Sequence, residues 1–483
     1  MDKDFLTTIK FGTDGWRGKI GYDFIHYNLV RAVAASCQEL FYQYFKEVKN
    51  KKILIGYDRR FMAGEFAKSI IPVVKGCGLE PVLSSTYVTT PACSLYAKDF
   101  NYLGALIITA SHNPFNWLGL KIKSFQGCSV DEEFTKEVQN RIALSNNVEQ
   151  IISPYKIVDV KAYHLEKIRS KFNIEFIVSC LKKMNLRIYV DAMHGSTAKS
   201  IEKIFNCKSS HFIQAVRENH DPYFGGNPPE PLLDYLDQLI GRLHQNSSDK
   251  IKTIGIIFDG DGDRIAVIDE KGRYCSSQVL LPYLINYLGR KNKNLYPVLK
   301  TVSGSDLINK IAENQQRNVI ELPVGFKHIA KEMLCQNVLL GGEESGGIGF
   351  GAFMPERDAL FSAMTLLNAI AEESDYLANS LDKIQEEFGP SFYDRIDISL
   401  ERILDRNFAE DFIVTNLPEE INGYKISNVS KLDGVKVRMK DNYWILFRFS
   451  GTEPLMRLYC ESFSEDALKT TINWGRKFIE KIV

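Results

Sequence analysis

Asp259, Asp261 and Asp263 alternate with glycines in the run Asp259-Gly260-Asp261-Gly262-Asp263-Arg264. Carboxylates this close repel one another unless a cation sits among them. Their hard oxygen donors suit Mg²⁺ or Ca²⁺ rather than zinc or copper. The glycines permit a tight backbone wrap, and Arg264 offers a guanidinium to an anion, most simply a phosphate. Asp259, Asp261, Asp263 and Glu270 also fall at positions 1, 3, 5 and 12 of an EF-hand loop, but that loop needs glycine at its sixth position, which here is Arg264. The flanks 254–258 (IGIIF) and 265–268 (IAVI) are short apolar runs of the buried-strand kind, not amphipathic helices. The plainer alternative is a solvated acidic turn.

Five further features carry possible chemistry. Ser111 follows an apolar run and precedes His112, Asn113 and Pro114; it reads as a turn serine bonding its own backbone or as a nucleophile. No Gly-x-Ser-x-Gly elbow surrounds it, and His112, as the adjacent residue, is badly placed to activate it in the manner of a triad. Lys121 is a surface strand lysine or a proton-transfer residue, and Arg17 with a metal nearby would push its pKa down. Glu343, Glu344 and Ser345 sit among glycines. Adjacent carboxylates on an extended segment point in opposite directions, so they do not flank one glycosidic bond, and recognition of sugar hydroxyls is the better reading. Arg448, Ser450, Gly451 and Thr452 combine a guanidinium, hydroxyls and free backbone N–H groups, the ingredients of a phosphate cradle; the alternative is a plain Ser-Gly turn. The segment 11–18 (FGTDGWRG) carries Arg17 in another glycine-punctuated loop, or in a linker.

The elements that position these residues follow from the apolar pattern. The runs 52–57 (KILIGY), 80–84 and 102–109 (YLGALIIT) read as strands, with helical spacing over 63–77 between the first two. Strands separated by helices imply parallel βαβ units, whose binding loops lie at the carboxyl ends of the strands. The same texture recurs with strands at 186–190, 253–258, 297–301 and 338–340, each ending in a polar, glycine-containing loop. Beyond Gly389-Pro390 the runs 393–400, 434–439 and 443–449 alternate in the antiparallel manner, and a helix over 464–482 closes the chain. The predicted architecture is three successive related α/β domains, 1–165, 166–275 and 276–390, plus a smaller C-terminal α+β domain, 391–483.

At 483 residues the chain is too long for a single core. Lys plus Arg, 60, balance Asp plus Glu, 60, so no global field favours nucleic acid or an acidic membrane and anion binding must be local. Nine scattered cysteines without a Cys-x-x-Cys pair fit reduced, buried thiols in a cytoplasmic protein. The acidic start lacks a following apolar run, so no signal peptide is expected. No stretch reaches the roughly 18 apolar residues of a membrane span.

Taken in order, the blocks 12–18 (GTDGWRG), 109–114 (TASHNP), 259–264 (DGDGDR), 342–347 (GEESGG) and 448–454 (RFSGTEP) closely resemble the α-D-phosphohexomutase superfamily, and within it the bacterial phosphoglucomutase/phosphomannomutase enzymes. They span essentially the whole chain. The resemblance implies four domains around a central cleft. It implies that Ser111 is a phosphoserine, and that Mg²⁺ is held by Asp259, Asp261, Asp263 and a phosphate oxygen on Ser111. Lys121 matches a general base, with Arg17, His112 and Arg264 beside it among the catalytic residues. Glu343 and Ser345 match a sugar-hydroxyl loop, and Arg448, Ser450, Gly451 and Thr452 match a loop for the non-reacting phosphate. Lys327, in the run 323–328 (PVGFKH), is a further expected substrate contact.

The implied reaction interconverts hexose 1-phosphate and hexose 6-phosphate, glucose ahead of mannose, with glucose 1,6-bisphosphate as intermediate and activator. The implied partners are small-molecule hexose phosphates, with neither nucleic acid nor membrane, and the chain is expected to be a monomer or weak homodimer. Three departures stand out: Phe449 where many relatives have Pro, Leu118 where Asn commonly precedes Gly119, and Gly347 where mannose-active relatives often carry His. Phosphoglucosamine mutase is the alternative within the class, although those relatives usually have Gln after the first Glu of the sugar loop and His at its end. A silent sugar-phosphate sensor is the alternative outside it.

Overall fold

The computed structural model describes residues 9–12, 14–144, 148–206, 212–248, 250–440, 443–450 and 454–480. The chain forms two compact units, each woven from three stretches: Met1–Ser277, Gly325–Gln336 and Ser345–Leu377 in the first, and Gln278–Val324, Asn337–Glu344 and Ala378–Val483 in the second.

The first unit holds strands β1 (Phe11–Gly12), β2 (Gly15–Lys19), β3 (Lys52–Tyr57), β4 (Glu80–Ser84), β5 (Gly104–Ile108), β6 (Trp117–Ser124) and β7 (Lys156–Val158) in one sheet of order β1-β2-β6-β5-β3-β4-β7. β5, β3, β4 and β7 run parallel, and β6 runs antiparallel to both β5 and β2. The nearly continuous apolar runs of β3 and β5 are those of strands buried on both faces. Their two-residue period sorts them into separate cores. Ile53, Ile55, Leu106 and Ile108 pack with the helix His26–Val48, whereas Leu54, Ala105 and Ile107 pack with the helix Thr90–Asp99.

A second sheet of the same unit contains β8 (Leu186–Asp191), β9 (Ile213–Val216), β10 (Lys252–Phe258), β11 (Ile265–Ile268) and β12 (Tyr274–Cys275), in the order β12-β11-β10-β8-β9. β10 and β11 form an antiparallel hairpin in which Phe258 faces Ile265. The acidic run 259–264 is therefore the turn of that hairpin.

In the second unit β13 (Val298–Thr301), β14 (Val319–Leu322) and β15 (Leu340–Gly342) pair in parallel with β13 central. β16 (Ile348–Phe350) belongs to the first unit, ahead of the helix Ala359–Glu373. An antiparallel sheet follows from β17 (Phe392–Ser399), β18 (Glu420–Ile421), β19 (Tyr424–Ser430), β20 (Val435–Met439), β21 (Tyr443–Phe449) and β22 (Leu455–Ser462), ordered β17-β22-β21-β20-β19-β18. The helix Glu465–Ile479 packs on it, capped by Ser464, whose Oγ accepts from the Ala467 N–H at 3.2 Å. The element order is that of successive α/β layers followed by an α+β layer. Among the described residues no helix is long and apolar enough to cross a membrane.

Two expectations shift. The single helix over 63–77 is two, Ala63–Ser69 and Ile71–Gly76. Pro72 has no N–H to continue the first helix but suits the first turn of the second. The strand expected over 338–340 begins only at Leu340.

Candidate active site

Ser111 sits just beyond β5, fully buried, with φ of 52°. Its N–H donates to Thr109 Oγ1 at 2.9 Å. Its Oγ donates to Asp259 Oδ2 at 3.0 Å and lies 3.3 Å from His112 Nδ1. The left-handed turn at Ser111 brings the neighbouring ring within hydrogen-bond reach of the hydroxyl, whose proton is directed at Asp259. Burial, reinforced by Arg264 and Arg17, pushes His112 well below the usual imidazole range, so the ring is neutral.

The turn carrying Asp259, Asp261 and Asp263 is buried rather than solvated, and a ligand oxygen from each lies within 4.8 Å of the others. Gly262 takes φ of 72°, and a Cβ there would stand 2.6 Å from Thr89 Cγ2 and 2.8 Å from Thr197 Cγ2, so the tight wrap requires glycine. Asp259 Oδ1 accepts from the N–H groups of Asp263 and Arg264 at 2.9 and 3.1 Å. Asp261 Oδ2 accepts from Thr90 Oγ1 at 2.5 Å. Asp261 Oδ1 and Asp263 Oδ1 have no hydrogen-bond partner although both are buried. Buried carboxylate oxygens left unpaired are costly. Three clustered carboxylates with two such oxygens fit a hard divalent cation such as Mg²⁺. Burial and the flanking Asp263 and Asp261 push Asp259 well above the usual carboxylate range.

Lys121, on β6, is buried and not a surface lysine. Its Nζ lies 2.7 Å from Asp14 Oδ2, 2.8 Å from Asp261 Oδ2 and 3.0 Å from Asp263 Oδ2. Burial works to depress its pKa, but Asp14, Asp261 and Asp263 outweigh it and hold the ammonium well above its ordinary range. Arg357, rather than the expected Arg17, is the cation that works with burial to lower it. The lysine's immediate neighbours are carboxylates, and Arg17 instead donates to Asn113 Oδ1 at 2.5 Å. Arg264 donates to Glu230 Oε1 at 3.1 Å, with its Nε 3.9 Å from Asp263 Oδ1.

Sequence reasoning missed the hub of this network. Asp14 binds Lys121 and accepts from Arg357 Nη2 at 2.6 Å; the same nitrogen lies 2.9 Å from Asp263 Oδ2. Lys123 joins Glu356, and its Nζ stands 3.7 Å from Asp14. Asp14 lies between β1 and β2 and Arg17 on β2, so the segment expected to be a loop is largely strand. Glu356 and Arg357 form a charged run just before the apolar helix Ala359–Glu373, which is the only local signal they give.

The remaining predicted residues fall elsewhere. Glu343 and Glu344 belong to the second unit and Ser345 to the first. Glu344 accepts from Ser303 Oγ at 2.6 Å and Thr301 Oγ1 at 3.3 Å, while Glu343 is buried. In the second unit Arg448, at the end of β21, donates through Nε to Asp433 Oδ2 at 2.9 Å, and the Ser450 N–H donates to the Leu455 carbonyl at 2.9 Å. Gly451 and Thr452 lie outside the described residues. Lys327, in the first unit, is ion-paired with Glu132.

Comparison with known proteins accounts for most of the chain. Sequence profiles of the phosphoglucomutase/phosphomannomutase family match as alpha/beta/alpha domain I over residues 8–149, domain II over 162–272, domain III over 277–388 and the C-terminal domain over 411–472. A phosphoglucosamine/phosphogalactosamine mutase of Sulfurisphaera tokodaii is 27% identical across 97% of this chain and 99% of its own length. A phosphoglucomutase/phosphomannomutase of Thermococcus kodakarensis is 26% identical across 89% of this chain and 90% of its own. A crystal structure from Thermus thermophilus, provisionally assigned as a phosphomannomutase, superposes with a TM-score of 0.84 at 27% identity, covering 98% of this chain and 99% of that one. With all four domains matched in order, this chain belongs to the α-D-phosphohexomutase superfamily of isomerases.

Proposed function

We propose that this phosphohexomutase interconverts the 1- and 6-phosphates of glucose through a phosphoryl group carried on Ser111. The observation that carries the reading is the approach of Ser111 Oγ to Asp259 in a turn that leaves two carboxylate oxygens unpaired. In each half-reaction a P–O bond to one oxygen breaks as a P–O bond to the other forms. The phosphoryl group passes from Ser111 to the free hydroxyl of the monophosphate, giving glucose 1,6-bisphosphate, and the other phosphate then returns to Ser111. Asp259, Asp261 and Asp263, with an oxygen of the Ser111 phosphate, would hold Mg²⁺, which when bound supplies positive charge to the transferring group.

Arg264 and Arg17 offer further positive charge beside the turn. Lys121 can take the attacking hydroxyl's proton only when Asp261 and Asp263 are otherwise compensated, because all its carboxylate neighbours favour the charged ammonium. Arg448 and Ser450, with Gly451 and Thr452, would grip the non-reacting phosphate, and Glu343 and Ser345 the sugar hydroxyls. Lys327 would first have to leave Glu132. The proposed setting is cytoplasmic sugar-phosphate metabolism.

The second reading is a phosphoglucosamine mutase. It is favoured by the relatives of that name in Nautilia profundicola, 29% identical over 97% of this chain, and Finegoldia magna, 25% identical over 95%. Glu344 and Gly347 in the sugar loop stand against it. Steady-state kinetics with glucose, mannose and glucosamine 1-phosphates, each with Mg²⁺ and priming bisphosphate, test the assignment. Glucose 1-phosphate is expected to give the highest kcat/KM, and a higher value for glucosamine 1-phosphate would replace the first reading with the second.

A further inference from the structure

Ser111 is supported by groups that never touch its hydroxyl. β3 and β5 are parallel neighbours with Tyr57 opposite Ile108, which sets Asp58 and Thr109 side by side just past the strand ends. Asp58, Arg60 and Thr109 are all buried. Asp58 Oδ2 accepts from Thr109 Oγ1 at 2.6 Å, and Oδ1 accepts from the Arg60 N–H at 2.9 Å. Arg60 Nε stands 3.2 Å from Asp58 Oδ2. Thr109 Oγ1 in turn receives the Ser111 N–H. Arg60 Nη2 donates to the carbonyls of Ser111 and Asn113, both at 2.6 Å, and Nη1 to those of Pro114 and Trp117 at 2.9 and 3.2 Å. Both polar backbone atoms of Ser111 are therefore tied, by separate routes, to one carboxylate.

Non-glycine residues with φ near 50° are strained and persist only where their surroundings over-determine them. The planar five-donor guanidinium can serve several carbonyls at once, which an ammonium cannot. The Arg60 guanidinium also lies 4.9 Å from the Phe224 ring centroid, which limits its freedom to turn away.

We infer that Asp58 and Arg60 are the positioning residues of the phosphoryl-carrying serine: they hold Ser111 in the left-handed turn that aims its Oγ at Asp259. This rests on the reading of Ser111 as the carrier. Their effect belongs to the transfer step and not to the binding of hexose phosphate.

The test is single-turnover transfer from glucose 1,6-bisphosphate to dephosphorylated full-length chain, read by intact mass, alongside steady-state kinetics and thermal midpoints. In Arg60→Lys the transfer rate is expected to fall about 100-fold, with KM for glucose 1-phosphate within about threefold of wild type. Added guanidinium should recover part of the rate lost in Arg60→Ala. A folded Arg60→Lys that transfers within about threefold of the wild-type rate, or whose loss lies wholly in KM, overturns the inference. Asp58→Asn, which keeps the side-chain volume, serves if Arg60→Lys does not fold. An unchanged transfer rate in Asp58→Asn overturns the inference equally. Ser111→Ala separates the two levels of the argument: phosphate still acquired by that variant defeats the carrier assignment, whereas wild-type transfer in Arg60→Lys with no labelling of Ser111→Ala defeats only the positioning role.

Discussion

Each unit buries a knot of opposite charges, and the two knots differ in what they leave over. In the second unit Lys300, Lys436 and Arg438 face Asp306 and Glu321. Lys300 Nζ lies 2.8 Å from Asp306 Oδ1 and Arg438 Nη2 lies 3.0 Å from Glu321 Oε2. Lys436 donates to the Val302 carbonyl at 2.6 Å and stands 4.0 Å from the Trp444 ring centroid. The cations are in surplus, and a carbonyl and a π face absorb it. Among the described residues, none of these five leaves a buried polar side-chain atom unpaired. In the first unit Asp14, Asp259, Asp261, Asp263 and Glu356 face Lys121, Lys123 and Arg357, with Arg17 and Arg264 at the edge, and two carboxylate oxygens remain without a hydrogen-bond partner. Buried charge alone does not mark function. Buried carboxylate oxygens left without a hydrogen-bond donor are the feature that points to a ligand.

The largest expected effect breaks the comparison at its chemical end. Ser111→Ala should lower kcat by at least about three orders of magnitude, since the group proposed to carry the phosphoryl is gone. A variant retaining most of its turnover would refute the proposed role.

Removing divalent metal by chelation should abolish turnover, and Mg²⁺ should restore it. Mg²⁺ should also raise the thermal midpoint of the wild-type chain, because a ligand bound only by the folded state stabilises it by mass action. In Asp263→Asn that shift should shrink and kcat should fall about 100-fold. An identical Mg²⁺-dependent shift in the variant would place the ion elsewhere.

The balanced knot should behave in the opposite way. Asp306→Asn removes a carboxylate from a buried network that already holds a surplus of cations and should cost about 3 kcal/mol in urea denaturation. The kcat/KM of the folded variant should stay within about threefold of wild type. A large loss of turnover with stability unchanged would erase the distinction between the two knots.

The smallest effect concerns a lone buried cation of the first unit. Burial, with Lys203 and Arg59 adding to it and Glu218 and Asp159 opposing, lowers the Lys161 pKa to about 7. The unfolded chain keeps that proton up to the ordinary lysine range, so it binds more protons than the folded chain above about pH 7, and stability rises with pH there. The urea midpoint should therefore climb more steeply between about pH 7.5 and 9.5 in wild type than in Lys161→Met. Equal slopes would show that the lysine stays charged in the fold.

Much of the scaffold was legible because burial on both faces writes itself as apolar runs, as in β3, β5 and β10. The loops at their ends carried Ser111 and the acidic turn in plain view. What escaped was assembled through space. Asp14 meets Arg357 across 343 positions, and no local period encodes that encounter. The carboxylate neighbours of Lys121 escaped for the same reason, since they come from the Asp14 segment and the β10–β11 turn. The reach of His112 to Ser111 depended on one backbone angle that residue types do not announce. The break at Ile70 was readable, because Pro72 forbids a continuous helix, but the apolar spacing on either side masked it.

The Asp14–Arg357 contact also sets a schedule. During synthesis at about 5–20 residues per second, Asp14 is joined to the chain roughly 20 to 70 seconds before Arg357. For that interval the N-terminal strands can form, but the charge network around Lys121 lacks its last cation. The nascent chain therefore carries Ser111 well before its acidic turn, and both before the Arg357 that completes the charge network.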